Sequence, residues 1–163
     1  MNRNSRINRF IKKMLERGIT IAMAESMTCG LAAHLLSTCK GTSEVLRGSV
    51  VCYHESVKKD LLGVKAGTIK KYSAESGQVT EALARGLKKT INADLHAAIT
   101  GLASAGGSEG PGKPVGSVFF CLIWRGRTVS VKKVFRGTPL EIREKACLHL
   151  YDLILDLVSR PPH

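Results

Sequence analysis

The sequence predicts an α/β fold, a three-layer α/β/α sandwich with a mixed sheet. Short apolar runs typical of buried strands alternate with segments whose apolar residues recur at helical spacing. Two apolar runs near the carboxyl end are separated only by Arg125-Gly126, which is typical of a β-hairpin and adds antiparallel strands to the sheet. The chain has 163 residues, 44% of them hydrophobic, which fits a single domain over 1–163 with its own core.

The first part of the chain predicts an amphipathic helix followed by alternating strands and helices. Apolar residues at the amino terminus follow the i, i+3, i+4, i+7 spacing of a packing helix, and many of its other positions are basic. Ser26 is the expected N-cap of the helix after the first strand. The predicted elements are helix 1–17, strand 19–25, helix 26–38, strand 45–54 and short helix 56–62.

The second part predicts a long helix, three strands and a closing helix. A glycine-rich loop separates the third strand from the hairpin, and Pro139 opens the last helix. The tail after that helix is expected to fray. The predicted elements are helix 74–91, strand 95–103, loop 104–114, strands 115–124 and 127–135, and a frayed tail at 160–163.

Composition excludes several functional classes. The five cysteines are scattered without a C-x-x-C pair, which argues against a zinc ribbon or a disulfide framework and favours the cytoplasm. No apolar stretch is long enough to cross a membrane. The net charge of +12 suits an anionic small molecule, but only 5% of residues are aromatic, so a nucleic-acid partner is not expected.

Common cofactor and metal motifs are missing from the sequence. No G-x-G-x-x-G follows a strand, no P-loop occurs, and His54-Glu55 does not belong to an H-E-x-x-H helix. Tyr53 and Lys58 are five residues apart, whereas short-chain dehydrogenases place tyrosine and lysine four apart on one helical face. We therefore expect neither a cofactor nor a metal.

Ser43, Tyr53 and Lys58 surround the second predicted strand and allow two interpretations. They are either the polar ends of an ordinary strand or an activated serine with its proton-handling partners. Lys58 is expected in the first turn of a short helix, where the helix dipole and partial burial would both lower its pKa. A neutral lysine can accept a serine proton, and a tyrosine hydroxyl can orient it.

Several blocks of the sequence resemble one family. In order they are "AESMTCGLAAHLL", "GTSEVLRGSVVCYHESVKKDLLGV", "ITGLASAGG", "KPVGSVFF" and "FRGTPLEIREKA". Together they are similar to the CinA carboxy-terminal domain family, the nicotinamide mononucleotide amidohydrolases, over residues 8–158. The resemblance implies deamidation of nicotinamide mononucleotide to nicotinate mononucleotide and ammonia, and a homo-oligomer.

The same resemblance implies the residues of the site. Ser43, Tyr53 and Lys58 would be catalytic, with Ser43 as the nucleophile. The implied substrate-binding residues are Glu25, Ser26, Thr28, Gly30, Thr100, Gly101, Gly106 and Arg143.

The binding loops depart from the family pattern. The family's T-G-I-A-G-P is Thr100-Gly-Leu-Ala-Ser-Ala here, and Thr138-Pro139 replaces an aspartate and an arginine. Losing glycines hampers close backbone approach to a phosphate, and losing an arginine removes a bidentate partner. These changes keep open a catalytically silent relative that binds a nucleotide, while a basic protein associated with nucleic acid is supported by charge alone.

Overall fold

The computed structural model describes residues 2–159, and the predicted tail at 160–163 lies outside the described residues. Within them the chain forms five strands and seven helices, none of which is long and apolar enough to cross a membrane. In chain order the elements are α1 (Arg3–Glu16), β1 (Ile21–Glu25), α2 (Leu31–Ser37), α3 (Thr42–Val45), β2 (Leu46–Val51), α4 (Glu55–Asp60), α5 (Ala66–Tyr72), α6 (Gly77–Thr90), β3 (Leu95–Gly101), β4 (Ser117–Trp124), β5 (Arg127–Val134) and α7 (Pro139–Ser159).

The strands form one mixed sheet in the order β2-β1-β3-β4-β5. β1 pairs in parallel with both β2 and β3, while β4 pairs antiparallel with β3 and β5. The carboxyl ends of β1, β2 and β3 therefore lie at one edge of the sheet. Ligands gather at such an edge in open α/β sheets.

Each face of the sheet carries its own apolar core, which confirms the predicted α/β sandwich. Alternate side chains such as Met23 and Phe120 pack against α1, α2 and α7 on one face. Their neighbours, such as Ala24 and Cys121, pack against α5 and α6 on the other. This alternation is the period-two pattern of a sheet that is covered on both sides.

The predicted elements are largely confirmed, with one error near β1. The predicted hairpin turn at Arg125-Gly126 and the start of α7 at Pro139 are confirmed, while α3 and α5 were not predicted. The helix predicted over 26–38 is wrong at its start, because residues 26–30 form a turn and α2 begins at Leu31. Gly30 occupies the N-cap position with a φ of 91°, so Ser26 is not a cap and its hydroxyl is available for another role.

Gly101 brings the glycine-rich loop close to β4. A Cβ atom at this position would lie 2.6 Å from the carbonyl oxygen of Ser117, so any larger residue would push the two strands apart. The Leu102 amide then donates to the same carbonyl at 2.9 Å. This close approach fixes where the loop leaves the sheet and therefore where one wall of the site lies.

Candidate active site

A cleft of about 190 Å³ opens at the edge formed by the carboxyl ends of the parallel strands. Ser26 and Met27 line it just after β1, Tyr53 lines it after β2, and the segment 101–107 lines it after β3. Glu75, which precedes α6, and Arg143 of α7 complete the walls. A polar cleft at this place in an α/β sheet is the expected position for a ligand.

Ser26 and Lys58 are in direct contact beside this cleft. The Nζ atom of Lys58 lies 3.0 Å from the Oγ atom of Ser26, which is hydrogen-bonding distance. Ser26 lines the cleft, whereas Lys58 is 1% exposed and lies behind it. A ligand in the cleft can therefore contact the serine hydroxyl directly, with the amine immediately behind that hydroxyl.

Two backbone carbonyls orient the Lys58 amine. Nζ donates to the carbonyl oxygen of Cys52 at 2.5 Å and to that of Tyr53 at 3.0 Å. A neutral amine has two N–H groups and one lone pair, so these carbonyls would use both N–H groups and leave the lone pair for the Ser26 hydroxyl. The geometry suits transfer of the serine proton to Lys58.

Burial lowers the pKa of Lys58 because the ammonium form loses its hydration. The carboxylates of Glu75 and Glu55 oppose this shift through their negative charge, and Cys52 does so only when its thiol is ionised, which burial disfavours by raising the Cys52 pKa to about 11. The predicted contribution of the helix dipole is wrong, because α4 begins at Glu55 and places Lys58 in its last turn. The positive end of the dipole lies at the other end of the helix, so burial accounts for the lowered pKa.

The prediction that Ser43 lies beside Lys58 is wrong. Ser43 is exposed on α3, before the amino end of β2, whereas Lys58 follows the carboxyl end of that strand. Six residues of extended chain separate the two ends by about 16 Å. Ser26 instead comes from β1, whose carboxyl end is at the same edge as that of β2.

Tyr53, which the family resemblance implied to be catalytic, lines the cleft. Its residue surface is 61% exposed, and its hydroxyl has no hydrogen-bond partner within residues 2–159. The backbone carbonyl of the same residue accepts the bond from Lys58. Tyr53 thus contributes to orienting the amine through its backbone while its ring faces the ligand space.

Glu25 holds the turn that carries Ser26. Its buried carboxylate accepts five hydrogen bonds at 2.8–3.0 Å, and it does not line the cleft. The donors are the Thr28 and Ser49 hydroxyls and the Gly30, Ala32 and Ala33 amides. Glu25 therefore caps α2 in place of a side chain from the turn. Thr28 and Gly30 are its partners and also lie outside the cleft lining.

Of the remaining predicted binding residues, one lies behind the cleft and three line it. Thr100 is fully buried and shares a 2.8 Å hydrogen bond with the Thr80 hydroxyl, which places it behind the site. Gly101, Gly106 and Arg143 line the cleft. The Arg143 Nε atom donates to the Met27 carbonyl oxygen at 2.8 Å, so α7 is tied to the turn that carries Ser26.

Three lining residues that carry functional groups were not predicted from the sequence, namely Met27 with its amide, Glu75 and Ser104. Glu75 lies in the segment between α5 and α6, and α5 was itself not predicted. Met27 follows Ser26 directly, so the end of β1 was the signal that could have identified it. No group of three His, Cys, Asp or Glu side chains within residues 2–159 is arranged to hold a metal ion.

Comparison with known families identifies the chain. The model of the CinA C-terminal domain matches residues 4–158. The chain belongs to the CinA C-terminal domain family. A CinA-like protein from Thermotoga neapolitana is 38% identical over 138 residues, which cover 85% of this chain and 33% of that protein. The chain spans about a third of the length of the curated relatives it matches.

Solved structures of this family share the fold. The competence damage-inducible protein A from Klebsiella pneumoniae superposes with a TM-score of 0.93 at 25% identity, covering 99% of this chain and 100% of that one. The competence/damage inducible protein CihA from Agrobacterium tumefaciens gives a TM-score of 0.89 at 28% identity, covering 96% of both chains. The CinA-family fold is therefore present over nearly the whole chain.

Proposed function

We propose that the chain is an amidohydrolase in which Ser26 is the nucleophile and Lys58 the general base. The observation that carries this proposal is the 3.0 Å contact between Lys58 Nζ and Ser26 Oγ, at the wall of a cleft, with two carbonyls orienting the amine. A serine hydroxyl is a weak nucleophile until a base takes its proton. A buried lysine with a lowered pKa supplies that base.

In each half of the reaction, Lys58 accepts a proton from the attacking oxygen and then gives it to the leaving group. Ser26 Oγ attacks the carboxamide carbon while its proton passes to Lys58 Nζ. Lys58 returns the proton to the amide nitrogen, the carbon–nitrogen bond breaks, and ammonia leaves an ester on Ser26. Water then attacks the ester after giving a proton to Lys58, and that proton restores the Ser26 hydroxyl as the acid product leaves.

The negative oxygen of the tetrahedral intermediate needs a hydrogen-bond donor. The Met27 amide adjoins Ser26 at the cleft and donates to no backbone or side-chain group within residues 2–159. It is our candidate for stabilising that oxygen, because an amide held in a fixed turn needs no reorganisation during the reaction. Tyr53 provides a hydroxyl and an aromatic face for orienting the substrate.

The proposed substrate is nicotinamide mononucleotide, an anionic mononucleotide that carries a carboxamide. Family membership supports it together with the charge of the chain, since a net charge of +12 attracts phosphate-bearing molecules. Arg143 is the positively charged residue among those that line the cleft, so its guanidinium is our candidate for contacting the phosphate.

Ammonia release from nicotinamide mononucleotide tests this function. We expect the purified wild-type chain to release ammonia and nicotinate mononucleotide in equal amounts. Ser26→Ala, which removes one hydroxyl, is expected to release neither product above background. Binding of the nucleotide without ammonia release by the wild type would favour the alternative of a catalytically silent relative.

A further inference from the structure

Glu75 brings a carboxylate into the cleft from the segment between α5 and α6. Its Oε2 atom accepts a hydrogen bond from the Ser108 hydroxyl at 2.5 Å. Its Oε1 atom accepts no hydrogen bond from any residue within 2–159. The loop after β3 therefore fixes one carboxylate oxygen, and the other is available to a ligand.

Neighbouring contacts hold this carboxylate in place without neutralising it directly. The Lys113 Nζ atom donates to the Ser73 hydroxyl at 2.6 Å, to the Ser108 hydroxyl at 2.7 Å and to the Glu75 backbone carbonyl at 3.2 Å. These three bonds use all three N–H groups of the ammonium. Lys113 thus reaches the Glu75 carboxylate only through the Ser108 hydroxyl.

The cleft consequently presents one group of each charge. The Arg143 Nε atom is bonded to the Met27 carbonyl, while its two terminal nitrogens have no acceptor within residues 2–159. A ligand that enters removes water from Glu75, and this is costly unless the ligand brings positive charge or hydrogen-bond donors. An uncharged aromatic amide brings no positive charge to this position.

We propose that Glu75 selects ligands with a positively charged ring, so that the cleft prefers an N-substituted pyridinium carboxamide to its uncharged dihydropyridine form. The inference takes the identity of the ligand from the proposed function. It concerns affinity and not turnover, so the two can fail separately. A carboxylate attracts the cation and offers nothing comparable to the neutral ring.

Binding of oxidised and reduced nicotinamide mononucleotide to the full chain tests the inference. The two nucleotides share the ribose, phosphate and carboxamide and differ in the charge of the ring. Calorimetry uses the Ser26→Ala background, so that the oxidised form is not turned over. We expect the oxidised form to bind more tightly, and Glu75→Gln to reduce this preference about fivefold, the upper range for a solvent-accessible charge pair.

Glu55→Gln in the same background is the matched control. Glu55 is exposed on α4 outside the cleft, so its neutralisation changes the net charge equally and should keep the preference. Glutamine at position 75 retains an oxygen for the Ser108 bond, and melting temperatures verify that each variant is folded.

Three results would overturn the inference. An unchanged preference for the oxidised nucleotide in Glu75→Gln would show that the carboxylate does not distinguish a charged ring from a neutral one. Equal weakening of both nucleotides would assign Glu75 to their shared ribose instead. Absence of binding by either form would remove the inference together with the ligand. A preserved charge preference with no ammonia release by the wild type would support Glu75 and contradict the proposed function alone.

Discussion

Replacing Lys58 by methionine removes the proposed base while keeping much of the volume of its stem. Without a base, Ser26 has no acceptor for its proton at the buried side of the cleft. General-base catalysis contributes about 10²–10⁴-fold, which corresponds to about 3–5 kcal/mol in the barrier. We therefore expect the rate of ammonia release to fall by about that factor.

The fold should survive this substitution. The carbonyls of Cys52 and Tyr53 lose their donor, which costs about 1–3 kcal/mol for each acceptor that stays buried. Removing an amine whose pKa is lowered by burial relieves a desolvation cost and acts in the opposite direction. The net loss in unfolding free energy should be about 1–3 kcal/mol, within the stability of an ordinary domain.

Ammonia release and melting temperature, measured on the same proteins, separate the two effects. The set is wild type, Lys58→Met, Ser26→Ala and the double variant. Because the two residues act as a unit, the double variant should be hardly slower than either single one. Near-normal turnover in Lys58→Met, or losses that multiply in the double variant, would refute the proposed pair.

Four further predictions concern pH, Tyr53 and Glu25. Because burial lowers the pKa of Lys58 below 10.5, kcat/KM should rise with pH as the amine loses its proton; a rising limb that persists in Lys58→Met would contradict this assignment. At pH values between the folded-state pKa of Lys58 and 10.5, Lys58 is protonated in the unfolded chain and neutral in the folded chain. The contribution of Lys58 to the free energy of unfolding should therefore rise with pH in this range. Urea titrations of wild type and Lys58→Met at several pH values would measure that rise. Tyr53→Phe removes one exposed hydroxyl and should slow ammonia release by less than Ser26→Ala; an equal loss would make the hydroxyl essential to proton transfer. Glu25→Gln replaces one acceptor oxygen of a buried carboxylate with a donor and should lower the unfolding free energy by about 2–3 kcal/mol in urea denaturation, whereas exposed Glu44→Gln should leave it nearly unchanged.

Much of the fold could be predicted because local patterns and tertiary packing agree. The strands and the hairpin follow from apolar runs bounded by turn residues, and the sheet buries both faces of β1 and β3. The start of α2 could not be predicted from Ser26, because a buried carboxylate eight residues before Ala33 caps the helix. Such a contact depends on burial, which local propensity does not report.

Sequence reasoning placed Tyr53 and Lys58 near one another, but it did not predict which serine contacts Lys58. Ser43 was paired with Tyr53 and Lys58 because of the family resemblance and because the three residues are near one another in sequence. In a parallel pair, residues that follow two neighbouring strands meet at one edge, while a residue that precedes a strand lies at the opposite edge. Applied to β1 and β2, that rule selects Ser26 and excludes Ser43.

Ammonia release by Ser26→Ala and Ser43→Ala, measured side by side on nicotinamide mononucleotide, tests the central claim most directly. Each variant loses one serine hydroxyl, but only Ser26 lies 3.0 Å from Lys58 Nζ. We predict that Ser26→Ala loses at least about 10²–10⁴-fold in turnover, because no ester can form, and that Ser43→Ala retains the wild-type rate. Loss of activity in Ser43→Ala with an active Ser26→Ala would contradict Ser26 as the nucleophile.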